Sequence, residues 1–340
     1  MTTATALPAR FYVDAEIEAL EEARIFRRSW QLLGHLSRLA GPGDHVVGRI
    51  GSLPLVVLRD HDGRLRAFHN VCRHRAGPVA RCDGQGARAL VCHYHGWTYG
   101  LDGKLKRAPE MEESDSFNPD EIALPEERAA DWQGLVFATA GRSPEFGEWI
   151  HGIDERLGDR GLGKYRPHRR QAYDINCNWK VYIDNFLEGY HLPRVHPELN
   201  RLLDYRSYRT ELADWHSLQW SPLESEGNPY GRGDALYFYL WPNTMLNALP
   251  GRLQTNRVIP LAVDRSRVVF EYFYPEDTDP GTLAEDERLS DQIQREDIEI
   301  CEAVHRGMAS GSWETGPLNP GHETGVAHFQ ALYRCAVELE

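Results

Sequence analysis

The arrangement of apolar and polar positions changes character along the chain. Residues 13–31 place apolar side chains among charged ones at roughly helical spacing, which predicts an N-terminal helix. From about residue 40 the apolar segments become short, β-branched and separated by Gly or Asp-Gly, as in residues 45–50 and 53–60. This pattern predicts a small all-β module with many turns, and residues 61–63 and 102–103 are typical of tight hairpin turns.

The second half of the chain has a different pattern. Residues 179–191 carry an apolar stripe at helical spacing, and residues 282–309 carry a longer one. Between these two predicted helices, residues 235–241, 255–263 and 267–274 have the β-branched and aromatic composition of strands. We therefore expect an α+β fold, in which a long helix packs against an antiparallel sheet.

The length of 340 residues suggests about two domains. We expect a helical N-terminal segment over residues 1–39, an all-β domain over residues 40–145, and an α+β domain over residues 146–340. The N-terminal segment is expected to pack on the α+β domain.

The net charge of −13 argues against a nucleic-acid surface, which needs a basic patch. No stretch approaches the ~20 apolar residues of a membrane span, and the N-terminus has no apolar core of a signal peptide. We therefore expect a cytoplasmic protein with no membrane partner. In that compartment, six cysteines are more typical of metal ligands than of disulfides.

Two short segments combine cysteine with histidine. One residue separates Cys72 from His74, and two residues separate Cys92 from His95. Zinc accepts two Cys and two His, but zinc-finger ligands are usually paired like with like along the chain. Mixed pairs favour a [2Fe–2S] centre, since two Cys bind one iron and two His the other, and each loop must reach both irons. Zinc is the alternative.

Several nearby residues fall outside this spacing. We expect His69, His93 and Cys82 to be ordinary polar residues rather than ligands. Trp97 and Tyr99 follow the second pair closely, and we expect them to pack beneath the metal centre.

A second group of candidate ligands lies in the α+β part. His191 and His196 flank Pro193, which disrupts the preceding helix, so that two imidazoles can converge on one ion. A facial triad for non-haem Fe(II) also needs a carboxylate. Asp297 falls on the apolar stripe of the long helix, where a lone carboxylate is costly to bury unless it is paired or binds a metal. The alternative is a solvated Asp297 in an acidic helix.

The stretch NVCRHRAG…CHYHGWTYGLDG, with the His191 and His196 pair and REDIEICEAVHRG, resembles the Rieske non-haem iron oxygenases over about residues 30–333. The resemblance implies a catalytic (alpha) subunit, with a Rieske domain followed by a catalytic domain of helix-grip type. It implies two cofactors: one [2Fe–2S] cluster at Cys72, His74, Cys92 and His95, and one mononuclear Fe(II) at His191, His196 and Asp297. It also implies a separate NAD(P)H-dependent reductase or ferredoxin, O₂, a small-molecule substrate and a homo-oligomer, often a trimer.

The resemblance assigns a further role to a carboxylate three residues before the first iron-binding histidine. Glu188 occupies this position, and it is expected to bridge the two redox centres by hydrogen bonds to a histidine of each. Asp184, one helical turn earlier, is the alternative. On the long helix, Glu296 and Glu299 are expected to point elsewhere than the apolar stripe that carries Asp297.

The substrate is less determined than the chemistry. Aromatic and thioether side chains are expected to form the pocket walls, namely Phe186, Tyr190, Tyr237, Tyr239, Trp241 and Met245. Two segments resemble choline monooxygenase and betaine-demethylating relatives, and aromatic walls suit either a quaternary ammonium or an aromatic ring. Arg252 favours an anionic substrate if its side chain points inward. Hydroxylation, ring dihydroxylation and demethylation stay open, and the other classes are a Rieske electron carrier without oxygenase activity and a zinc-stabilised binding module.

Overall fold

The computed structural model describes residues 4–111, 116–203, 207–223 and 230–338. Contacts divide the chain into two units: residues 26–146 form the first, here called the β unit. The segments before and after it, residues 1–25 and 147–340, form the second, here called the α+β unit.

The β unit is built from short antiparallel strands. Their bounds are β1 (Gln31–His35), β2 (His45–Ile50), β3 (Leu53–Arg59), β4 (Leu65–His69), β5 (Leu90–Val91), β6 (Thr98–Tyr99), β7 (Leu105–Arg107), β8 (Glu126–Glu127), β9 (Ala129–Trp132) and β10 (Leu135–Ala138). Within the described residues they form three sheets, in the orders β2-β3-β4-β8, β1-β10-β9 and β5-β6-β7. The all-β module predicted from the sequence is confirmed.

Two tight turns of the β unit lie where the sequence predicts them. Between β3 and β4, the Asp60 carboxylate accepts a hydrogen bond from the backbone N–H of Asp62 (2.9 Å), and Gly63 has a φ of 79°. Between β6 and β7, Gly103 also has a φ of 79°, and a Cβ there would lie 2.5 Å from the Phe68 ring. Glycine is therefore required at position 103 both by its conformation and by the close ring.

Strand β3 separates two apolar cores of the β unit. Val56 and Leu58 belong to the core that also contains Cys72 and Cys92, whereas the alternate residues Leu55 and Val57 belong to a core with residues of β10. Successive side chains of a strand point to opposite faces. Both faces of β3 are buried, which agrees with its almost continuously apolar sequence. One of these faces packs in the same core as the two cysteines.

The α+β unit contains the remaining elements. Its helices are α1 (Arg10–Val13), α2 (Glu16–Arg24), α3 (Phe146–Trp149), α4 (Ile153–Leu157), α5 (Trp179–Phe186), α6 (Leu192–Val195), α7 (Leu199–Leu202), α8 (Pro280–Ala309) and α9 (Thr324–Glu338). Its strands are β11 (Arg166–Ile175), β12 (Arg209–Leu212), β13 (His216–Leu223), β14 (Gly233–Leu240), β15 (Thr244–Leu249), β16 (Arg252–Ala262) and β17 (Arg265–Tyr274).

The seven strands just named form one antiparallel sheet in the described part of the chain, in the order β11-β17-β16-β15-β14-β13-β12. The long helix α8 begins after Asp279, whose carboxylate accepts a hydrogen bond from the N–H of Thr282 (3.0 Å), and Pro280 occupies its first turn. Both features are typical helix-start signals. The predicted combination of an antiparallel sheet and a long helix is confirmed.

The N-terminal segment differs from the prediction. Of the helix predicted over residues 13–31, only the part in α2 (Glu16–Arg24) forms a regular α-helix, and α1 ends at Val13. The Asp14 side chain accepts a hydrogen bond from the N–H of Glu16 (2.9 Å) at the start of α2. Residues 31–35 form β1, which pairs with β10. The domain boundary expected after residue 39 therefore lies after residue 25, since β1 is part of the β unit.

A buried ion pair ties α2 to the rest of the α+β unit. The Lys180 ammonium, on α5, contacts Glu21 of α2, and the Lys180 side chain is fully buried. The Glu21 carboxylate also accepts hydrogen bonds from Trp179 Nε1 (2.8 Å) and the Tyr333 hydroxyl (2.7 Å). Burial lowers the pKa of Lys180, and the charge of Glu21 opposes that shift.

We expect Lys180→Met to destabilise the protein by about 3–5 kcal/mol, because it leaves the Glu21 carboxylate buried without a cation. The free energy of unfolding in urea measures this effect. Lys164→Met, at an exposed lysine, is the control and should change stability by less than about 0.5 kcal/mol. The double variant Glu21→Gln/Lys180→Met should regain more than half of the loss, and a Lys180→Met protein as stable as the control would contradict the role of the pair.

Candidate metal centres

Two loops of the β unit that carry the Cys and His pairs are built alike. In the first loop, the N–H of Cys72 donates to the carbonyl of Gly77 (2.8 Å), and the N–H of Ala76 donates to the carbonyl of Cys72 (3.0 Å). The second loop repeats both bonds from Cys92 at the same sequence offsets, each at 2.9 Å. The two loops therefore present their cysteines in equivalent conformations.

The four side chains of these loops divide into a buried and an exposed pair. Cys72 and Cys92 are buried, at 3% and 2% exposure, whereas His74 and His95 are exposed, with ring centroids 4.6 Å apart. This separation suits a [2Fe–2S] cluster, in which two Cys bind one iron and two His the other. A single tetrahedral zinc would bring at least three of these ligand atoms to within 4.8 Å of one another. Among the described residues, these four side chains form no such group of three.

The residues around the two cysteines leave room for a cluster and include a hydroxyl that can donate a hydrogen bond to a cysteine sulfur. A Cβ at Gly77 would lie 3.0 Å from Cys92 Sγ, so a side chain there would crowd the sulfur. The Tyr99 hydroxyl accepts a hydrogen bond from the N–H of Arg73 (2.9 Å) and lies 3.2 Å from Cys72 Sγ, to which it can donate its proton. Trp97 stacks on His74, so the two aromatic residues expected beneath the centre both contact ligand side chains.

In the α+β unit, a turn after α5 positions the two histidines. The predicted helix over residues 179–191 ends at Phe186, because the Glu188 carboxylate accepts hydrogen bonds from the backbone N–H of Tyr190 and of His191 (3.0 Å). His191 therefore immediately precedes α6, and His196 follows its last residue. The two imidazoles are brought to within 5.1 Å between ring centroids at an interplanar angle of 76°.

Asp297, from α8, completes a group of three potential ligands. One ligand atom from each of His191, His196 and Asp297 lies within 4.8 Å of the other two. His196 Nε2 lies 3.0 Å from Asp297 Oδ1. Two imidazoles and one carboxylate on one side of a cavity match the facial triad of non-haem Fe(II), which leaves coordination positions open.

Each imidazole of this triad contacts a carboxylate through its other ring nitrogen. His191 Nδ1 lies 2.6 Å from Glu188 Oε1, and His196 Nδ1 lies 2.6 Å from Glu296 Oε2. When Nδ1–H donates to a carboxylate, Nε2 keeps its lone pair for the metal. Burial lowers the pKa of His196, but Asp297 and Glu296 outweigh that effect and raise it, so this pocket attracts a cation.

The prediction that Glu296 points elsewhere than Asp297 is wrong, because both carboxylates contact His196. Glu296 contacts His196 and accepts a hydrogen bond from Gln292 Nε2 (3.1 Å), whereas Glu299 is exposed. The helical stripe is wide enough to bring two adjacent residues, Glu296 and Asp297, to the same site.

A second residue missed by the sequence analysis is Asn185. Its Nδ2 donates a hydrogen bond to Asp297 Oδ1 (2.6 Å) and so holds the carboxylate from the α5 side. No periodicity signals this contact, because it joins two helices that are far apart along the chain.

Asp184 and Glu188, the two candidates for the bridging carboxylate, have different surroundings. Asp184 accepts hydrogen bonds from the Tyr12 hydroxyl (2.6 Å) and from Gln330 Nε2 (3.2 Å), and burial raises its pKa to about 7. Only Glu188 of the two contacts His191. The geometry therefore favours Glu188, and its bridging role stays a prediction.

A cavity of about 110 Å³ lies beside the triad. Of the expected walls, Phe186 and Tyr237 line it, whereas Tyr190 is exposed and stacks on His322. The other expected wall residues are buried elsewhere in the unit: Tyr239, Trp241 and Met245. Tyr239 and its cross-strand partner Met245 share a sheet face with the cavity-lining Tyr237, two residues earlier in β14, so neither composition nor alternation showed where along that face the cavity ends.

Two family models match the chain. The model described as "Ring hydroxylating alpha subunit (catalytic domain)" matches residues 162–338, and the model described as "Rieske [2Fe-2S] domain" matches residues 29–118. The choline monooxygenase of Arabidopsis thaliana is 34% identical over 333 residues, which are 91% of this chain and 78% of that relative. The chain belongs to the Rieske non-haem iron oxygenases.

Two further proteins are similar to this Rieske oxygenase over most of its length. The carnitine monooxygenase oxygenase subunit of Escherichia coli (strain K12) is 30% identical over 350 residues, which cover 96% of this chain and 92% of that relative. The crystal structure of a quaternary ammonium Rieske monooxygenase in complex with L-carnitine has a TM-score of 0.88 and 25% identity, with 98% of this chain and 96% of that chain covered.

This Rieske oxygenase is thus a terminal oxygenase component with one [2Fe–2S] cluster and one mononuclear iron. It uses O₂ and electrons from a separate reductase or ferredoxin to oxidise a small organic substrate. The catalytic-domain match and the converging triad set aside the electron-carrier and zinc-module alternatives. Across the described ranges, no helix has the length and apolar character needed to cross a membrane.

We expect Tyr99→Phe to lower the midpoint potential of the cluster by about 40 mV. Loss of the hydrogen bond to Cys72 Sγ destabilises the reduced, more negative cluster by ~1 kcal/mol, which is about 40 mV for one electron. Spectroelectrochemical titration measures the shift. Tyr94→Phe, at an exposed tyrosine near His95, is the control, and an unchanged potential in Tyr99→Phe would show that the hydroxyl does not donate to sulfur.

We expect Glu296→Ala to weaken Fe(II) binding by about 10–100-fold, because His196 loses the carboxylate that fixes its ring. The dissociation constant is measured by chelator competition on protein with an intact cluster. Glu296→Gln keeps an acceptor oxygen and should lose less. Glu299→Ala removes an exposed carboxylate of the same helix, and equal affinities of Glu296→Ala and this control would refute the role of Glu296.

Proposed function

We propose that this Rieske oxygenase hydroxylates a carbon of a quaternary ammonium compound at an iron held by His191, His196 and Asp297. The observation that carries the proposal is the composition of the cavity beside these ligands. Phe186 and Tyr237 line it together with further aromatic rings, and the carboxylates of the site line the same space. Ring faces and nearby negative charge attract a desolvated cation that has no hydrogen-bond donors.

The substrates of the relatives support the same class. The relatives reported above are a choline monooxygenase, a carnitine monooxygenase subunit and a quaternary ammonium monooxygenase bound to L-carnitine. Choline and carnitine share a trimethylammonium group, and we carry that shared group over to the present chain.

The side chains around the proposed iron have separate tasks. When bound, the iron supplies the open coordination positions at which O₂ is activated. Glu188 and Glu296 keep the protons of His191 and His196 on Nδ1, so that both Nε2 atoms face the metal. Leucine side chains that line the cavity, Leu192, Leu199, Leu203 and Leu249, exclude water from the reacting carbon.

In the β unit, we assign the cluster to Cys72, Cys92, His74 and His95. The support is the paired loops, the buried thiols and the exposed imidazoles. An exposed pair of imidazoles leaves the cluster accessible to an electron donor or to another copy of the chain.

We also propose that the holoprotein is a homotrimer in which Glu188 links its iron site to the cluster of a neighbouring copy. The structure of one quaternary ammonium Rieske monooxygenase gives insights into inter-subunit electron transfer in that protein. The cluster loops here carry exposed arginines, Arg73 and Arg75, in a chain of net charge −13, which supports docking on an acidic copy. Sedimentation equilibrium of the holoprotein measures its mass, and three times the mass of one chain is the expected result.

The cytoplasmic location stays a prediction.

The experiment supplies the purified holoprotein with a surrogate reductase, NADH and O₂, and offers quaternary ammonium compounds against aromatic acids. We expect oxygen uptake coupled to a hydroxylated or demethylated product only with the ammonium compounds. Asp297→Ala should keep the visible spectrum of the cluster and lose turnover by at least about 100-fold, because the triad loses a ligand. Glu299→Ala is the control; coupled turnover of aromatic acids alone would contradict the proposed substrate class.

A further inference from the structure

Arg252, the first residue of β16, lines the cavity although only 6% of its surface is exposed. Its Nε lies 2.8 Å from Asp286 Oδ2, and its Nη2 donates to Ser290 Oγ (2.7 Å) and to Gln254 Oε1. In the described part of the chain, no hydrogen bond involves its Nη1. A buried guanidinium therefore keeps two N–H donors available beside the cavity.

The charge of Arg252 is retained despite burial. Burial lowers its pKa, but the charge of Asp286 outweighs that effect and raises it. Asp286 also accepts hydrogen bonds from the hydroxyls of Tyr230 (2.6 Å) and Tyr274, so its negative charge is shared among three donors. Nη1 is not among the fully buried atoms that lack a partner, so it is accessible from the cavity that Arg252 lines, and a negatively charged ligand group could accept its charge-assisted hydrogen bonds.

Helix α8 gives the separation between Arg252 and the triad. Ser290, which contacts Arg252, and Asp297, which belongs to the triad, both line the cavity and are seven residues apart on this helix. Two helical turns correspond to about 10 Å. The cavity thus has a cationic group at one end and the carboxylates Glu188 and Asp297 at the other.

We infer that Arg252 binds the carboxylate of a zwitterionic substrate, an ω-trimethylammonio carboxylate whose ammonium lies at the aromatic and acidic end beside the triad. This inference rests on the proposed function and narrows it from quaternary ammonium compounds in general to those with an acid group. It also modifies the expectation for Arg252 from the sequence. Because Asp286 neutralises much of its charge, Arg252 selects an acid group within a zwitterion rather than a simple anion.

Binding under nitrogen tests the inference without turnover. Isothermal titration of the holoprotein compares trimethylammonio carboxylates with one, two or three methylenes against trimethylammonio alcohols of the same lengths. We expect one carboxylate to bind at least about tenfold more tightly than its alcohol, the usual strength of a hydrogen bond to a charged group. Equal or weaker binding of every carboxylate would overturn the inference.

Paired substitutions assign the preference to Arg252. In Arg252→Gln/Asp286→Asn, which removes both charges together, the carboxylate-to-alcohol ratio should fall to within about twofold. The matched control is Arg169→Gln/Asp291→Asn, which removes another ion pair (3.0 Å) between the sheet and α8, outside the cavity lining, and should keep the ratio. A ratio lost equally in both double variants, or kept in both, would overturn the assignment.

Two further results separate this inference from the proposed function and from misfolding. Arg252→Lys keeps the charge and the pairing with Asp286, so it should keep part of the preference if the double variant does not fold; complete loss or no change would count against hydrogen bonding by the guanidinium. If alcohols are oxidised and carboxylates are not preferred, only the inference fails. If no trimethylammonium compound binds or is oxidised, the proposed function fails.

Discussion

Each histidine of the proposed iron site is held by a carboxylate at Nδ1, and the metal-binding geometry of the α+β unit depends on these two contacts. Glu188 comes from the turn that ends α5, and Glu296 comes from the long helix α8. A neutral imidazole has one donor and one acceptor nitrogen, so fixing the proton on Nδ1 leaves Nε2 as the ligand. The turn, the long helix and the sheet beneath them are arranged so that both contacts form around Asp297.

The β unit positions its candidate cluster ligands with a repeated loop. Two short segments with the same backbone hydrogen bonds place Cys72 and Cys92 inside an apolar core and leave His74 and His95 at the surface. The buried sulfurs are shielded from water, and the exposed imidazoles are the side from which electrons can enter or leave. Thus one unit keeps its proposed redox centre near the surface, whereas the other keeps its proposed metal ligands beside a cavity.

The cavity combines groups of opposite charge that are costly to bury separately. Arg252 is neutralised by Asp286, and the carboxylates of the triad are positioned to bind a metal ion, so neither end is left as an isolated charge. A zwitterion that carries its ammonium near the triad and its acid group near Arg252 would match both ends. Substrate choice in this protein is therefore a matter of how charges are paired across the cavity, beyond the number of aromatic rings in its wall.

The sequence by itself determined the features that depend on local spacing: the Cys and His pairs, the β hairpins, the antiparallel strands and the long helix with Asp297 on its stripe. Only the tertiary structure decided that Glu296 contacts His196, that Arg252 is paired with Asp286, and that β1 joins the β unit. Local periodicity encodes which side of a helix or strand is buried, since neighbouring residues repeat at a fixed angle. Contacts between residues far apart in sequence depend on how the elements pack, and periodicity along the chain carries no record of that packing.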